Sequence, residues 1–198
     1  MNNQQKKIKL VLGLGNPMDS YSGTRHNVGA DFLLRYTASS DIELSKHKKA
    51  MTGKYTTEKS DINLSIFENV YMNESGPAFL ETFGKKSDGL LVCHDDIDIP
   101  LGSIKISFNK NSGGHKGIES IMNSLDTKEF GRIRIGIGDR ESIKEKLSDF
   151  VVSSFTEHEK EKIDLVYKKF FVPIVDEVIK SDLENAMNKY NKKEEGDL

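Results

Sequence analysis

Four polar side chains in this sequence are of types that could activate a water molecule and stabilise a developing negative charge: Asn16, His26, Asn73 and Asp95. An imidazole has an ordinary pKa near 6.5, so a histidine can accept a proton from water at neutral pH. A carboxylate beside it can fix the tautomer of the ring, and asparagine amides can donate hydrogen bonds to an oxyanion. Together these groups would suit hydrolysis at a carbonyl carbon, although a lone histidine is more often structural.

The positions of these side chains along the chain indicate why they should meet. Each lies in a polar segment that follows a short apolar run, and such runs predict buried strands. The runs occupy residues 8–14, 62–68 and 90–93. Ligand sites of α/β proteins lie at the carboxyl ends of the strands. We therefore expect the four side chains to converge at one edge of a sheet.

The glycines at positions 13 and 15 raise the alternative of a dinucleotide-binding turn after the first strand. That motif needs a third glycine at position 18, which is Met18, and Pro17 interrupts the entry to a helix. No acidic residue ends a second strand about 20 positions later, as the motif also requires. The two glycines are better explained as letting the backbone pass close to a bound group.

The acidic loop after the strand at 90–93 has two further interpretations. His94, Asp95, Asp96 and Asp98 could hold Mg²⁺ or Ca²⁺, and a metal-dependent phosphoesterase built on the three carboxylates is one alternative. The glycine and the ligand spacing of a Ca²⁺ loop are absent. We therefore predict no metal site and expect Asp96 and Asp98 to belong to a charged, capped loop.

A glycine-rich segment at residues 111–117 precedes a predicted helix. Free backbone N–H groups at such a helix start can face an anion. The stretch from Ile99 to Ile118 contains no acidic residue and carries Lys105, Lys110, His115 and Lys116. These features are consistent with contacts to phosphate. A flexible helix cap and a solvated row of lysines are the alternatives.

The order of predicted elements indicates an α/β fold with a single domain over residues 1–198. Strands that alternate with helices favour a mixed, mostly parallel twisted sheet with helices on both faces, and the two strand-like runs at 51–68 predict a hairpin. Thr156 and Glu159 form a capping-box pattern for a late helix, which Pro173 should kink or break. The last ten or so residues, from 189, are charged and expected to fray.

Composition narrows the class of protein. With 198 residues, 36% hydrophobic and 30% charged, the chain has enough apolar side chains for one core. No apolar run approaches the roughly 20 residues that span a bilayer, and the polar start does not resemble a secretory signal. The single cysteine, Cys93, excludes an internal disulfide and fits a reducing compartment, so we expect a cytoplasmic protein. The net charge of −2 argues only weakly against a nucleic-acid partner, since phosphate binding depends on local charge.

Five segments, taken in order, resemble the bacterial-type peptidyl-tRNA hydrolase family. They are GLGNP with TRHNVG at 13–29, YMNESG at 71–76, HDDIDIPLG at 94–102, SGGHKG at 112–117 and FGRIRIGIG at 130–138. The resemblance extends over residues 8 to about 155. It implies an enzyme that hydrolyses the ester between a peptide, or a blocked aminoacyl group, and the 3′ ribose of tRNA.

The resemblance also implies a role for each matching residue. His26 would act as the general base that activates water, and Asp95 would orient it. Asn16 would help to distinguish blocked from free aminoacyl ends, and Asn73 would contact substrate and position the reacting carbonyl. Tyr21 and Tyr71 would line the pocket. His115 matches the histidine of the family's glycine-rich segment, and Arg134 matches a basic position that meets tRNA phosphate. From the acid-free stretch, contacts to substrate or tRNA are also expected for Lys105 and Lys116.

Three positions depart from the family pattern. Met18 stands where the family usually has glycine, Lys116 where it usually has asparagine, and Ser107 where a lysine often contacts tRNA. These departures bear on rate and tRNA affinity more than on the class of reaction. The resemblance implies no cofactor, no membrane and no obligatory protein partner, and we expect a monomer. An RNA-binding protein that keeps the fold but has lost turnover is the competing interpretation.

Overall fold

The computed structural model describes residues 7–58, 61–138, 140–144 and 146–191 of the chain. Its described strands form one sheet of seven strands in the order β2-β3-β4-β1-β5-β7-β6. The strands are β1 (Leu10–Gly13), β2 (Ser45–His47), β3 (Ala50–Thr56), β4 (Asp61–Phe67), β5 (Leu90–Asp96), β6 (Ile104–Phe108) and β7 (Gly131–Gly136).

The four central strands of the sheet run parallel. β1 pairs in parallel with β4 on one side and with β5 on the other, and β5 pairs in parallel with β7. β3 is antiparallel to β4, which confirms the hairpin predicted at 51–68, and β6 is antiparallel to β7. The predicted mixed, mostly parallel sheet is therefore confirmed. The short strand β2, which pairs with β3, was not foreseen.

Eight α-helices lie within the described residues. They are α1 (Met18–Tyr21), α2 (Val28–Ser39), α3 (Ser75–Phe83), α4 (Lys116–Leu125), α5 (Leu147–Val152), α6 (Glu157–Val166), α7 (Val172–Lys180) and α8 (Leu183–Tyr190). Short 3₁₀ turns at Arg25–Asn27 and Met72–Glu74 lead into α2 and α3. Among the described residues, no helix is both long and apolar enough to cross a bilayer.

Helices cover both faces of the sheet, as predicted, and each face has its own hydrophobic core. On one face, buried side chains of α2, α6, α7 and α8 pack with alternate strand residues such as Val11 and Ile133. On the other face, α3 and α4 pack against Leu12 and Val92. Because successive strand side chains point to opposite faces, β1, β4 and β5 contribute to both cores.

Close packing of α2 on the sheet sets the distance from His26 to the strands. A Cβ atom at Gly29 would overlap the carbonyl oxygen of Cys93 on β5, and one at Gly13 would lie 2.7 Å from the carbonyl oxygen of Gly29. Only glycine permits so close an approach at these two positions. The 3₁₀ turn that carries His26 is therefore held at the carboxyl ends of β1 and β5.

The late helices contain no break at Pro173, which was one of the two outcomes that the sequence predicted there. The capping box of Thr156 and Glu159 is present at the start of α6. Pro173, however, does not break the helix, because a π-helical turn at Tyr167–Phe171 joins α6 to α7. A widened turn accommodates a proline ring that has no N–H to donate. At the chain end, Asn191 pairs with the backbone of Ile106, whereas the rest of the predicted frayed end, 192–198, lies outside the described residues.

Candidate active site

His26 and Asp95 form a buried pair at the carboxyl edge of the sheet. Nδ1 of His26 lies 2.8 Å from Oδ1 of Asp95, and the two side chains are 11% and 4% exposed. An ionised carboxylate can only accept a hydrogen bond, so Nδ1 of His26 carries the proton and donates a hydrogen bond to Asp95. The lone pair of the neutral ring then lies on Nε2, as a general base requires.

Electrostatics reinforce this pairing. Burial lowers the pKa of His26, but the adjacent Asp95 carboxylate raises it, and the resulting pKa is above the ordinary value of 6.5. Burial raises the pKa of Asp95, whereas His26 and His115 lower it, and the pKa of this carboxyl falls well below its usual range. Asp95 is therefore ionised at every pH at which the protein would work, and it can stabilise a protonated His26.

His115 also contacts Asp95, which the sequence did not indicate. Its Nε2 lies 2.8 Å from the same Oδ1 atom, and its Nδ1 accepts a hydrogen bond of 3.2 Å from the backbone N–H of Ile118. His115 is thus the N-cap of α4. Since Nδ1 accepts, the proton of the neutral ring lies on Nε2. The glycine-rich segment is therefore fastened to the candidate catalytic pair.

A third histidine, His94, packs against this arrangement. The ring of His115 packs against His26, with centroids 4.8 Å apart, and against His94, at 4.7 Å. Nδ1 of His94 donates to the backbone oxygen of Asp95 at 2.6 Å. Burial and the nearby His115 hold the pKa of His94 well below its ordinary value. His94 is therefore a neutral packing residue in the site.

Two sets of residues could be considered as metal ligands. Ligand atoms of His26, Asp95 and His115 lie within 4.8 Å of one another. For His115 to bind a metal through Nε2, however, the proton would have to leave that atom, and the ring would then no longer both cap α4 and donate to Asp95. The other set, Asp95, Asp96 and Asp98, does not converge, because Asp96 pairs with Arg134 and Asp98 with Arg140, at 2.7 and 2.6 Å.

Asn16 is fixed beside the His26 turn by Asn27. The backbone N–H of Asn16 donates to Oδ1 of Asn27 at 2.9 Å, and Nδ2 of Asn27 donates back to the Asn16 carbonyl at 3.0 Å. Oδ1 of Asn16 accepts a hydrogen bond from the backbone N–H of Met72. With its oxygen occupied in this way, the Asn16 side chain offers its Nδ2 group as a donor to a ligand.

Tyr71 and Asn73 follow the neighbouring strand β4, whereas Tyr21 ends α1, which follows β1. Asn73 is exposed in the 3₁₀ turn after β4, and its backbone oxygen accepts a hydrogen bond of 2.8 Å from Ser120 of α4. Tyr21 and Tyr71 meet edge to face, with ring centroids 6.4 Å apart, and Tyr71 is 51% exposed. The ends of β1 and β4 therefore adjoin, since the backbone N–H of Met72, next to Asn73, donates to Asn16. The convergence of the Asn73 side chain on His26 stays a prediction.

A cavity of about 300 Å³ opens beside His26 and Asp95. Its lining also includes the glycine-rich segment and one side of α5, with residues Asp96, Ile97, Ser112, Gly113, Gly114, His115, Lys116, Arg140, Leu147, Ser148 and Val151. We call this space the His26 cavity. Asn16, Asn73, Tyr21 and Tyr71 are not part of its lining. It is large enough for one or two amino-acid residues, and its apolar wall, formed by α5, was not predicted from the sequence.

The expected phosphate-binding cations have different surroundings. Lys105 is exposed and pairs in register with Arg134 across β6 and β7, so the two lie side by side. Arg134 contacts Asp96 and is 24% exposed. Lys116 is 69% exposed and lies 3.0 Å from Glu119. Ser107, by contrast, is buried, so it presents no group at the surface.

Two arginines and Asn27 are structural parts of the site that the sequence reasoning missed. Arg132 is 1% exposed and donates to the backbone oxygens of Lys110 and Asn111, which holds the glycine-rich segment in place. Arg25 is also buried and binds the chain next to α5. Their positions in the sequence could have indicated a role for Arg25 and Asn27, because these two residues flank His26 directly.

Comparison with known proteins identifies the family of this chain. The sequence model of the family described as peptidyl-tRNA hydrolase matches residues 10–197. A peptidyl-tRNA hydrolase of Sulfurihydrogenibium sp. is 38% identical over 189 residues, covering 93% of this chain and 98% of that protein. One from Lactobacillus gasseri is 35% identical, covering 93% and 100%. The crystal structure of peptidyl-tRNA hydrolase from Acinetobacter baumannii superposes with a TM-score of 0.84 at 28% identity, covering 96% and 97%.

The sheet with helices on both faces defines an α/β fold, and the family match defines the class as a hydrolase that acts on an ester bond. Within that class, the chain belongs to the peptidyl-tRNA hydrolase family. The family resemblance drawn from the five sequence segments is thereby confirmed.

Proposed function

We propose that this protein hydrolyses the ester that joins a peptide to the 3′ ribose of tRNA, with His26 as the general base. The observation that carries the proposal is the 2.8 Å contact between Nδ1 of His26 and Asp95. It places the proton on Nδ1 and the lone pair on Nε2, beside a cavity of about 300 Å³. The protein would thereby free tRNA for further translation.

The chemistry follows from these two side chains. Nε2 of His26 takes a proton from water while the water oxygen attacks the ester carbonyl carbon, and Asp95 stabilises the resulting imidazolium. The tetrahedral intermediate then collapses with cleavage of the bond between the carbonyl carbon and the ribose oxygen. The imidazolium returns its proton to that oxygen, so the products are the free peptide acid and the 3′ hydroxyl of tRNA.

The asparagines supply the remaining stabilisation in this proposal. Nδ2 of Asn16 and the amide of Asn73 donate hydrogen bonds to the substrate, and an amide that reaches the oxyanion can contribute about 3–4 kcal/mol. Tyr21 and Tyr71 form an aromatic edge on which a terminal base or side chain can pack. Hydrolysis needs no metal ion or organic cofactor in this scheme, because the general base and the hydrogen-bond donors suffice.

In this proposal, basic residues near the carboxyl edge of the sheet contact the phosphates of tRNA. Lys105 and Arg134 lie side by side, and Lys116 is exposed at the start of α4. His115 would contact substrate only when its bond to Asp95 opens. The substrate belongs to translation, so the proposed location is the cytoplasm, and one chain carries all of the proposed groups.

The test is release of N-acetyl-amino acid from N-acetyl-aminoacyl-tRNA, with unblocked aminoacyl-tRNA as the substrate control. His26→Ala should lower turnover by about 10²–10⁴-fold, since a general base supplies roughly that factor, while tRNA binding survives. His158→Ala is the matched control, because that histidine is 77% exposed on α6. Turnover by wild type should persist in EDTA. Binding of tRNA without any hydrolysis by wild type would favour an RNA-binding protein instead.

A further inference from the structure

Arg25, the residue before His26, is 5% exposed and contacts three residues that follow α5. Nη1 lies 2.6 to 3.3 Å from O and Oγ of Ser153 and from O of Ser154. Nη2 lies 2.8 and 2.7 Å from Oε1 and Oε2 of Glu159, a charge-assisted contact of one nitrogen with both carboxylate oxygens. The buried Nε of Arg25 has no hydrogen-bond partner among the described residues.

Aromatic rings and the backbone add to this attachment. The guanidinium carbon lies 4.4 Å from the ring centroid of Phe150 and 5.0 Å from that of Phe155. The backbone N–H of Arg25 donates to Ser153, and Thr24 forms an isolated antiparallel bridge with Ser154. The turn that carries His26 is therefore joined to residues 150–159 through both side chain and main chain.

The segment fixed by Arg25 continues directly from one wall of the His26 cavity. Leu147, Ser148 and Val151 of α5 line that cavity. No residue of α5 is fully buried, and only Phe150 and Val151 pack against the core as partly buried side chains. Phe150 of α5 stacks on the guanidinium, and Ser153, directly after α5, accepts two of the hydrogen bonds. Arg25 thus adds a direct connection between this wall and the turn of His26 to the partial packing of α5 on the core.

Glu159 is itself held in a defined orientation. Its carboxylate accepts from the backbone N–H of Thr156 in the capping box of α6 as well as from Arg25. Burial raises the pKa of Glu159, but the Thr156 N–H and the Arg25 guanidinium lower it below its ordinary value. The carboxylate is therefore ionised at neutral pH, and it orients Arg25 from the base of α6.

We propose that Arg25 is a positioning residue that fixes the α5 wall of the cavity relative to the base His26, and thereby sets how tightly the acyl group of the substrate is bound. This inference rests on the proposed function. Lysine cannot replace arginine here, because an ammonium group is a single point of charge and cannot form the fork that reaches Ser153, Ser154 and Glu159 together.

The test compares Arg25→Lys with wild type on N-acetyl-aminoacyl-tRNA carrying a large apolar amino acid. We expect KM to rise about tenfold with little change in kcat, as for loss of binding energy that acts equally in ground state and transition state. The acid limb of the kcat profile should stay in place, because Asp95 still contacts His26. A merely structural role would lower the active fraction, and therefore kcat, and would leave KM unchanged.

Two further variants make the comparison specific. Arg35→Lys is the matched control, because Arg35 makes an ion pair of 2.8 Å with Asp164 and stacks 4.0 Å from the Tyr167 ring, away from the cavity. It should leave KM unchanged. Glu159→Gln keeps the size of the side chain and removes its charge, so it should raise KM in the same direction as Arg25→Lys. An unchanged KM in both Arg25→Lys and Glu159→Gln would overturn the inference.

Binding measurements separate this inference from the proposed function. The probe is tRNA with the N-acetyl-aminoacyl group attached through a stable amide, compared with deacylated tRNA. Arg25→Lys should lose affinity for the acylated probe alone. If wild type hydrolyses the ester but Arg25→Lys binds both probes normally, the positioning role is wrong. If wild type hydrolyses no blocked aminoacyl-tRNA, the proposed function itself is wrong.

Discussion

Nε2 of His115 donates a hydrogen bond of 2.8 Å to Oδ1 of Asp95, the same oxygen atom that contacts the ring of His26. One carboxylate oxygen therefore serves two imidazoles, and one of them comes from the glycine-rich segment. A hydrogen bond from the neutral His115 withdraws electron density from Asp95 and weakens its attraction for a protonated His26. The position of the glycine-rich segment thus influences the basicity of the candidate catalytic histidine.

The first prediction separates the two roles of His115 with His115→Asn. Asparagine is a good N-cap, so α4 should keep its stability, whereas the contact with Asp95 should be lost. Asp95 then acts on His26 alone, which raises the pKa of His26 and moves the acid limb of the kcat profile to higher pH. The measurement is the pH dependence of single-turnover hydrolysis.

His115→Ala is the control for the capping role. It should move the acid limb in the same direction and should also lose about 0.5–2 kcal/mol of stability to urea, as for loss of an N-cap. A profile that does not move in either variant would mean that Asp95 acts on His26 independently of His115.

The second prediction concerns Asp95→Asn. The pKa of His26 is raised by the Asp95 carboxylate against the opposing effect of burial, so an amide in its place leaves burial dominant and the pKa falls. The base form is the active form, so the acid limb of the rate profile should move to lower pH. Turnover at the plateau should nevertheless drop by about 10²–10⁴-fold, because the imidazolium loses its counter-charge. An acid limb at the wild-type position would show that another group titrates.

Some of this site was predictable from the sequence, and the reason lies in strand order. His26, Asn73 and Asp95 each follow an apolar run, and parallel strands bring such positions to one edge. The contact of His115 with Asp95 was not predictable, because it depends on how the start of α4 meets β5. The bond between Arg25 and Glu159 joins residues 134 positions apart, and the sequence between them does not specify it. Glu159 was assigned only its local capping role.

The third prediction concerns Lys116, which stands where the family usually has asparagine. Lys116 is 69% exposed and contacts Glu119 at 3.0 Å, an exposed ion pair of the kind that contributes little to stability. It is therefore available to contact a phosphate in place of the cation that the buried Ser107 lacks. Lys116→Asn should weaken tRNA binding and reduce the slope of log affinity against log salt by about one unit.

Turnover by Lys116→Asn at saturating substrate should hold or improve, since His26 and Asp95 are untouched. Lys160→Asn, which removes an exposed lysine paired with Glu157 on α6, is the matched control for charge. Affinity should be measured at several salt concentrations for wild type and both variants. An equal slope for wild type and Lys116→Asn would mean that Lys116 faces solvent in the complex.

The last prediction concerns a carboxyl group outside the cavity. Burial raises the pKa of Asp31 to about 6, although the Gly23 N–H and Arg35 oppose the shift. The folded state therefore binds a proton that the unfolded state, with an ordinary pKa of 3.8, has already lost between about pH 4 and pH 6. The contribution of this group to the free energy of unfolding must therefore fall as pH rises through that window.

The variant Asp31→Asn tests this, because it removes the ionisation and keeps an oxygen that can accept a hydrogen bond from Gly23. It should stabilise the protein by about 1–2 kcal/mol at pH 8 and by less at pH 4.5, measured as urea midpoints. Asp19→Asn, which removes the charge of an exposed acid in the first turn of α1, is the control and should not stabilise the protein at pH 8. Equal effects of Asp31→Asn at the two pH values would show that the Asp31 carboxylate is not destabilised by folding.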